Sequence, residues 1–511
     1  MCGIAAVYGP HPAGETERMI DRLVHRGPDD AGEVRVEGAW LGHRRLSIVD
    51  VDGGHQPLAN PAGDVWLVGN GEVYNHEQVR ASLAPAPFAT RSDNEVALHL
   101  LDERGPAALT ELEGMFAFLV AGDDGSFLAA RDPVGIKPLY WAQRDGRARF
   151  ASEIAAFAPD WMPQVESFPP GCHWTPDGGL ERFARAVPDA EAVAAAAASE
   201  DWSEAVDPPE QALAATRRTL VASVQRQMMG DVPVGVFLSG GLDSAIIAVI
   251  AAQHAEQRGE RLKTFAVGTE NSADVLAARV VARHLDSEHH ERIYTAREAV
   301  RALPTVVRAI EHFDPSLVRS AVPNFLLAEM TAQHVKVVLT GEGADELFAG
   351  YEYLRGFDDP DALQEELVRT VDGLHNLNLQ RCDRVTMAHS LEARVPFLDR
   401  QVIAFALGLP VAWKLSPPGE LEKRLLRRAF SGWLPDEILW REKAQFGDGS
   451  GAAEVLTDKI EEGVSTADFE REREAVDPAL RTREELAYHR IFAEHLPGVR
   501  PERTLGRFAT A

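Results

Sequence analysis

The hydrophobic pattern of this 511-residue chain changes its period part-way along, so one layered unit cannot accommodate all of it. The first part is dense in short strand signals with turn punctuation. Residues 3–9 are an apolar run ending at Gly9-Pro10. Residues 64–75 read as strand, Asn-Gly turn, strand. Residues 114–131 read as a hairpin, Met115-Phe-Ala-Phe-Leu-Val and Phe127-Leu-Ala-Ala around Asp123-Asp-Gly125. An Asp-Gly pair between apolar runs is a strong hairpin signal. Helical apolar spacing falls at 13–23 and 94–101. The pattern predicts an α+β unit built on antiparallel pairing.

After Gln211 the pattern alternates. Residues 232–238 form an apolar run, then a Gly-rich loop, then a helical stretch at 245–257. A second run at 264–267 precedes helical spacing at 273–285 and strand-like residues 292–294; a third run spans 335–339. Strands alternating with helices of this length predict a parallel α/β sheet. Residues 362–496 have mostly helical spacing. Between the halves, 192–198 is nearly pure alanine, too small-sided to form core. The expected division is 2–183, a linker at 184–209, and 210–511. No repeat of 20–50 residues is present.

Lys plus Arg total 52 against 79 Asp plus Glu, a net charge of −27. That charge disfavours nucleic acid and anionic membrane surfaces as partners. No run of ~18 apolar residues suits a bilayer. The start, Met-Cys-Gly-Ile-Ala-Ala-Val-Tyr-Gly, lacks the basic and apolar regions of a secretory signal. Three cysteines, Cys2, Cys172 and Cys382, are too few for a disulfide framework and point to a reducing cytoplasm. Cys172 and Cys382 read as small buried fillers. His284, His289 and His290 cluster, but their spacing matches no zinc signature, so they read as a polar strand end.

Cys2 becomes the terminal residue if Met1 is removed. Its α-amine can then act as base for its own thiol. Alone, such a residue is more often a chance cysteine near a terminus. The motifs around it matter more: His25-Arg-Gly-Pro-Asp-Asp30, His43-Arg-Arg-Leu-Ser-Ile-Val-Asp50, Asn70-Gly-Glu-Val-Tyr-Asn75 and Arg91-Ser-Asp93. Together they resemble the class II (N-terminal nucleophile) glutamine amidotransferase domain. The resemblance implies a four-layer αββα sandwich. It implies that Cys2 attacks the glutamine side-chain amide, with the Asn70 amide and Gly71 N–H as oxyanion hole. It also implies a glutamine pocket of Arg45, Ile48, Asn70, Glu72 and Asp93. Singly, Arg45, Glu72 and Asp93 would be solvated surface charges.

The second motif is Ser239-Gly-Gly-Leu-Asp-Ser244, between a strand and a helix. Backbone N–H groups and hydroxyls at a helix N-terminus suit an anion. The loop lacks the Gly-Lys-Ser/Thr ending of a Walker A loop. A Gly-rich helix cap is the plainer alternative. It resembles the pyrophosphate-binding loop of ATP pyrophosphatases. Thr264-Phe-Ala-Val-Gly268, Thr340-Gly-Glu-Gly-Ala-Asp-Glu-Leu-Phe-Ala-Gly-Tyr351, Leu391-Glu-Ala-Arg-Val-Pro-Phe-Leu-Asp399 and Trp440-Arg-Glu-Lys-Ala-Gln-Phe446 extend the likeness. With the first half, the chain is similar to glutamine-hydrolysing asparagine synthetases over nearly its whole length.

That resemblance implies a parallel-sheet synthetase domain with added helices. Leu238, Ser239, Gly240, Gly241, Asp243, Ser244, Val267, Thr340 and Gly341 would bind ATP. Asp243 and Asp345 would hold Mg²⁺, whose preference is for hard oxygens. Lys443 would stabilise charge on the phosphates. Glu342 would contact the intermediate and accept a proton as ammonia attacks. Arg319 is a candidate for substrate carboxylate or phosphate, or else a helix-surface cation. Glutamine, aspartate and ATP are the implied substrates, a shielded interior route would carry ammonia, and a homodimer is an admissible assembly. Three departures stand out: Ala245 after the loop, Thr340 for Ser, and Ala349 for Gly. Two rival functions stay open: the same chemistry on another carboxylate, and a non-catalytic protein on this fold.

Overall fold

The computed structural model describes the chain except residues 1, 86, 190–192, 194–206, 417–418, 444–459, 461–462 and 509–511. Most of the expected linker, and Ala444–Phe446 of the Trp440 motif, lie outside the described residues.

The first half is two six-stranded sheets packed face to face between helices. In spatial order one sheet runs Glu166–Ser167, Tyr140–Arg144, Arg147–Ala151, Gly3–Tyr8, Ala39–Arg45 and Asp30–Val36. The other runs Gly179–Arg182, Cys172–Thr175, Phe127–Arg131, Gly114–Gly122, Val65–Val73 and Leu58–Ala59. The pairings within both are antiparallel. Alternation along Gly3–Tyr8 explains the layers: Ile4 and Ala6 meet Val68, Ala117 and Leu119 between the sheets. The helix Asn94–Arg104 covers the second sheet with Val96, Ala97 and Leu100. The helix Glu15–Asp21 packs on the first. This is the αββα sandwich.

The 114–131 hairpin forms with its turn at Asp123–Gly125. The Asn-Gly turn does not. Val65–Val73 is one continuous strand, paired with Gly114–Gly122 along its whole length. Cross-strand pairing overrides the local turn signal. Gly71 stays in the strand at φ +147°, where an added Cβ would lie 1.9 Å from the Met115 carbonyl oxygen. Only glycine tolerates both demands.

The second half carries a five-stranded parallel sheet, ordered Glu288–Ile293, Lys263–Gly268, Val234–Phe237, Val337–Leu339 and Glu392–Arg394. The helix Leu242–Gln257 is buried along most of its length, as expected beside a parallel sheet. The last strand was invisible to hydrophobic patterning. Glu392-Ala-Arg394 has one apolar residue, and its two charges pair with each other in the interior. The two halves share core: Met115, Val134 and Ile136 pack in one cluster with Leu242, Ile246 and Leu398. Among the described residues no helix is long and apolar enough to cross a membrane.

Candidate active sites

The first centre forms where the strands beginning at Gly3 and ending at Val73 approach. Cys2 is buried, and its backbone N–H donates to Asn70 Oδ1 over 3.0 Å. Burial pushes the thiol pKa up, while a backbone hydrogen bond from Leu46 pulls it down. The Asn70 Nδ2 is buried and has no hydrogen-bond acceptor. An orphan buried donor is costly, and this one belongs to the side chain that touches Cys2.

Carboxylates line the far side. Asp93 Oδ2 accepts from the Val73 N–H at 2.6 Å, and its other oxygen from Asn94 Nδ2 at 3.1 Å. Glu72 Oε1 lies 3.4 Å from Arg394, while Oε2 has no partner. Burial pushes both carboxyls up, Glu72 strongly so with Glu392 beside it. A cation entering here would be drawn by both. Arg45 is buried and spends its guanidinium on the Val49, Asp50 and Val51 carbonyls, at 2.7–3.2 Å. It therefore braces the loop that presents the buried Ile48.

The second centre lies at the carboxyl ends of the parallel strands. Ser239–Ser244 leaves the strand Val234–Phe237 and opens the helix Leu242–Gln257. Ser244 Oγ accepts from the Ser239 N–H at 3.2 Å and lies 3.0 Å from Ser239 Oγ. Gly240 sits at φ +73°, and a Cβ there would stand 2.6 Å from the backbone nitrogen of Ala278. The loop is thus folded tightly by its own hydroxyls. Leu238, Val267 and Thr340 are buried beneath it. A cavity of about 130 Å³ opens between Ser239, Asp243, Asp345, Lys423, Arg441 and Lys443.

Lys423 ties this cavity together. Its ammonium lies 2.5 Å from Asp243 and 2.5 Å from Asp345, and the side chain is buried. The two carboxylates hold its pKa up against burial, and with Lys443 it holds Asp345 below the usual range. Lys443 reaches Asp345 at 2.6 Å and the Gly350 carbonyl at 2.9 Å. Asp243 Oδ1 is buried without a partner. Two convergent carboxylates with one orphan oxygen are the hard donor set that suits Mg²⁺.

Glu342 pairs with Arg381, which also donates to Ser320 Oγ at 2.8 Å. Gly341 lies against Asp243: a Cβ added at Gly341 would stand 3.0 Å from the Asp243 Cβ. Ala349 adopts φ +51°, a region where glycine is unstrained.

The two halves of the chain match two family descriptions: a glutamine amidotransferase domain over residues 1–168, and asparagine synthase over 215–359 and 355–503. An Arabidopsis thaliana protein named asparagine synthetase [glutamine-hydrolyzing] 3 is 38% identical over 97% of this chain and 88% of its own length. A Dictyostelium discoideum protein named probable asparagine synthetase [glutamine-hydrolyzing] is 36% identical over 99% and 96%. A Schizosaccharomyces pombe protein of the same name is 37% identical over 97% and 94%. The chain belongs to the asparagine synthetase family.

Arg319 is bound by the fully buried Glu484, with Nε at 3.0 Å from one oxygen. Its guanidinium faces a committed partner, and the cation at Glu342 is Arg381. Sequence reasoning does not single out Lys423 or Arg381. Lys423 sits in Leu421-Glu-Lys-Arg424, where no local pattern separates it from neighbouring basic residues. His284, read with His289 and His290 as a polar strand end, instead ends the helix Ala273–His284 and meets the Trp433 carbonyl; His289 and His290 lie on the strand Glu288–Ile293, where His289 meets Thr264 and Glu291.

Proposed function

We propose that this protein makes asparagine from aspartate, glutamine and ATP. The observation that carries this reading is the pairing, in one asparagine synthetase-family chain, of an unspent Asn70 donor at Cys2 with the Asp243–Lys423–Asp345 cluster beside the Ser239–Ser244 loop.

In the first centre the Cys2 thiolate attacks the amide carbon of glutamine. The developing oxyanion is met by Asn70 Nδ2 and the Gly71 N–H. The α-amine of Cys2, once Met1 is removed, takes the thiol proton and passes it to the leaving ammonia. Water then cleaves the γ-glutamyl thioester, giving glutamate. Glu72 and Asp93 attract the substrate ammonium. Arg45 and the loop at Ile48 shape the carboxylate end.

In the second centre the aspartate side-chain carboxylate attacks the α-phosphorus of ATP and pyrophosphate leaves. Backbone N–H groups of Leu238 to Gly241, with Ser239 and Ser244, cradle the departing phosphates. Val267, Thr340 and Gly341 border the nucleotide. Asp243 and Asp345 would hold Mg²⁺, which supplies charge neutralisation for the triphosphate. Lys443 and Lys423 stabilise negative charge on the phosphates. Ammonia attacks the acyl-adenylate, AMP leaves, and Glu342 takes the proton released.

Neutral ammonia is the nucleophile, and a shielded route between the centres keeps it unprotonated. The boundary at 184–209, the homodimer and the cytoplasmic location are parts of the same proposal. Sparse cysteine and acidic charge support the compartment.

The test is one incubation with glutamine, aspartate, ATP and Mg²⁺, read by mass spectrometry. Asparagine, AMP and pyrophosphate rising together are expected. Glutamate without asparagine or AMP would mean that another carboxylate is the acceptor.

A further inference from the structure

Away from both centres, the outer edge of the parallel sheet gathers a third set of polar side chains. Glu288–Ile293 is the edge strand, paired with Lys263–Gly268. Strand alternation puts Glu288 and His290 on one face and His289 and Glu291 on the other. His290 Nε2 stands 3.0 Å from a Glu288 carboxylate oxygen. His334 arrives from the turn after the helix Pro315–Thr331, distant in sequence. Its ring centroid is 3.9 Å from that of His290, with the planes 33° apart. One ligand atom from each of Glu288, His290 and His334 lies within 4.8 Å of the other two.

The rings are held in place by packing. The fully buried Phe265 stacks on His290 at 5.3 Å and lies 5.8 Å from His334. The His290 hydrogen bond holds Glu288 below its usual pKa. Burial, then His290 and Lys263, push His334 down. Lys263, opposite Glu288 on the neighbouring strand, is the cation that opposes a metal, and Glu288 offsets it.

We propose that Glu288, His290 and His334 form a binding site for a divalent transition metal of the zinc type. Two imidazoles and one carboxylate suit Zn²⁺ better than Mg²⁺ or Ca²⁺. All three side chains are half-buried, so solvent completes the fourth position. Zn–N bonds of about 2.0–2.1 Å and tetrahedral angles require ligand atoms about 3.3 Å apart. Rotation of these half-buried side chains closes that gap. The site lies at the amino-terminal half of Glu288–Ile293 and just before Val337–Leu339, whereas the nucleotide loop lies at the strands' carboxyl ends. The metal would therefore clasp the sheet edge to the Pro315–Thr331 helix and leave the chemistry alone. It would also blunt an exposed edge strand.

The experiment uses the full chain stripped with a chelator, titrated at pH 7.5 with Zn²⁺ by calorimetry and with Co²⁺ by visible absorption. Wild type should bind one equivalent that His290→Ala and His334→Ala each weaken by at least about tenfold, the loss typical even of supporting groups around a metal. His289→Ala, on the opposite face of the same strand, should bind as wild type. Zn²⁺ should raise the melting temperature of wild type and not of the two ligand variants. Equal stoichiometry and affinity in all four proteins would overturn the site, as would loss in His289→Ala alone. If His290→Ala does not fold, His334→Ala and Glu288→Gln, both at half-buried positions, decide the question.

Discussion

Arg26 forms a two-armed ion pair with Asp383, at 2.8 and 3.2 Å, with both side chains out of solvent. The same guanidinium donates from Nε to the Cys2 carbonyl at 3.1 Å and from Nη1 to Glu153 at 2.8 Å. Asp383 lies on the helix Asn378–Met387, which also carries Arg381, the partner of Glu342. One buried guanidinium thus joins the backbone of the nucleophile to a helix that reaches the other centre. Burying such charges is costly unless each is paired, so the two halves must meet in register.

Asp383→Ala should therefore destabilise the whole chain by about 1–3 kcal/mol, because Arg26 loses its two-armed partner and keeps only Glu153 and the Cys2 carbonyl. Denaturant unfolding checks this. A change under about 1 kcal/mol would show that the pair contributes no more than an exposed one.

Cys2→Ala should abolish asparagine formation from glutamine and leave formation from ammonium chloride intact. Comparing the two nitrogen sources reads it directly. Loss of both would argue against separate centres.

Asn70→Ala should lower the glutaminase kcat by about 10²–10³, the usual effect of removing one oxyanion donor. Since Asn70 Oδ1 also accepts from the Cys2 N–H, Asn70→Asp keeps that acceptor but sets a carboxylate where the donor was. It should fall further than Asn70→Ala if a donor to the oxyanion is what matters, because the added charge repels the oxyanion. Glutamate release under saturating glutamine is the measurement.

Lys423→Met should stop adenylation, seen as loss of AMP and pyrophosphate, while Cys2 still hydrolyses glutamine. The substitution leaves Asp243 and Asp345 facing each other without their shared cation. Unchanged AMP formation would exclude Lys423 from the site.

Glu346 gives a pH signature. Burial, with Asp345 beside it, raises its carboxyl to about 7. Its folded-state pKa exceeds the unfolded value, so the stability it contributes is present below about 4.5 and is lost as pH rises through about 7. The slope between should be about 1.4 kcal/mol per pH unit. Glu346→Gln should flatten that part of the curve. Melting temperatures from pH 5 to 8 for both proteins test it; parallel curves would remove Glu346 as the cause.

The two-part organisation was legible because strand and helix periods are local properties. The motifs at Cys2, Asn70 and Ser239 were legible for a similar reason: each is a short contiguous stretch in which glycine, hydroxyl and carboxylate sit at fixed spacing. Gly71 shows where local reading stops. Asn70-Gly71 looks like a turn, yet its partner strand supplies hydrogen bonds along its full length and holds it extended. Glu392–Arg394 shows the converse, a strand without an apolar pattern. Its charges pair with each other, and Arg394 also meets Glu72 from the first half.

Charge partners were what the tertiary structure alone decided. Arg319 and Arg381 look equivalent as isolated cations, but the fold gives one to Glu484 and the other to Glu342. Lys423 is one basic residue among several until folding sets it between Asp243 and Asp345. By itself the sequence determined which chemistry-bearing residue types are present and in what local spacing. Which carboxylate each cation meets depends on contacts between segments far apart along the chain, and only chain packing brings those within reach.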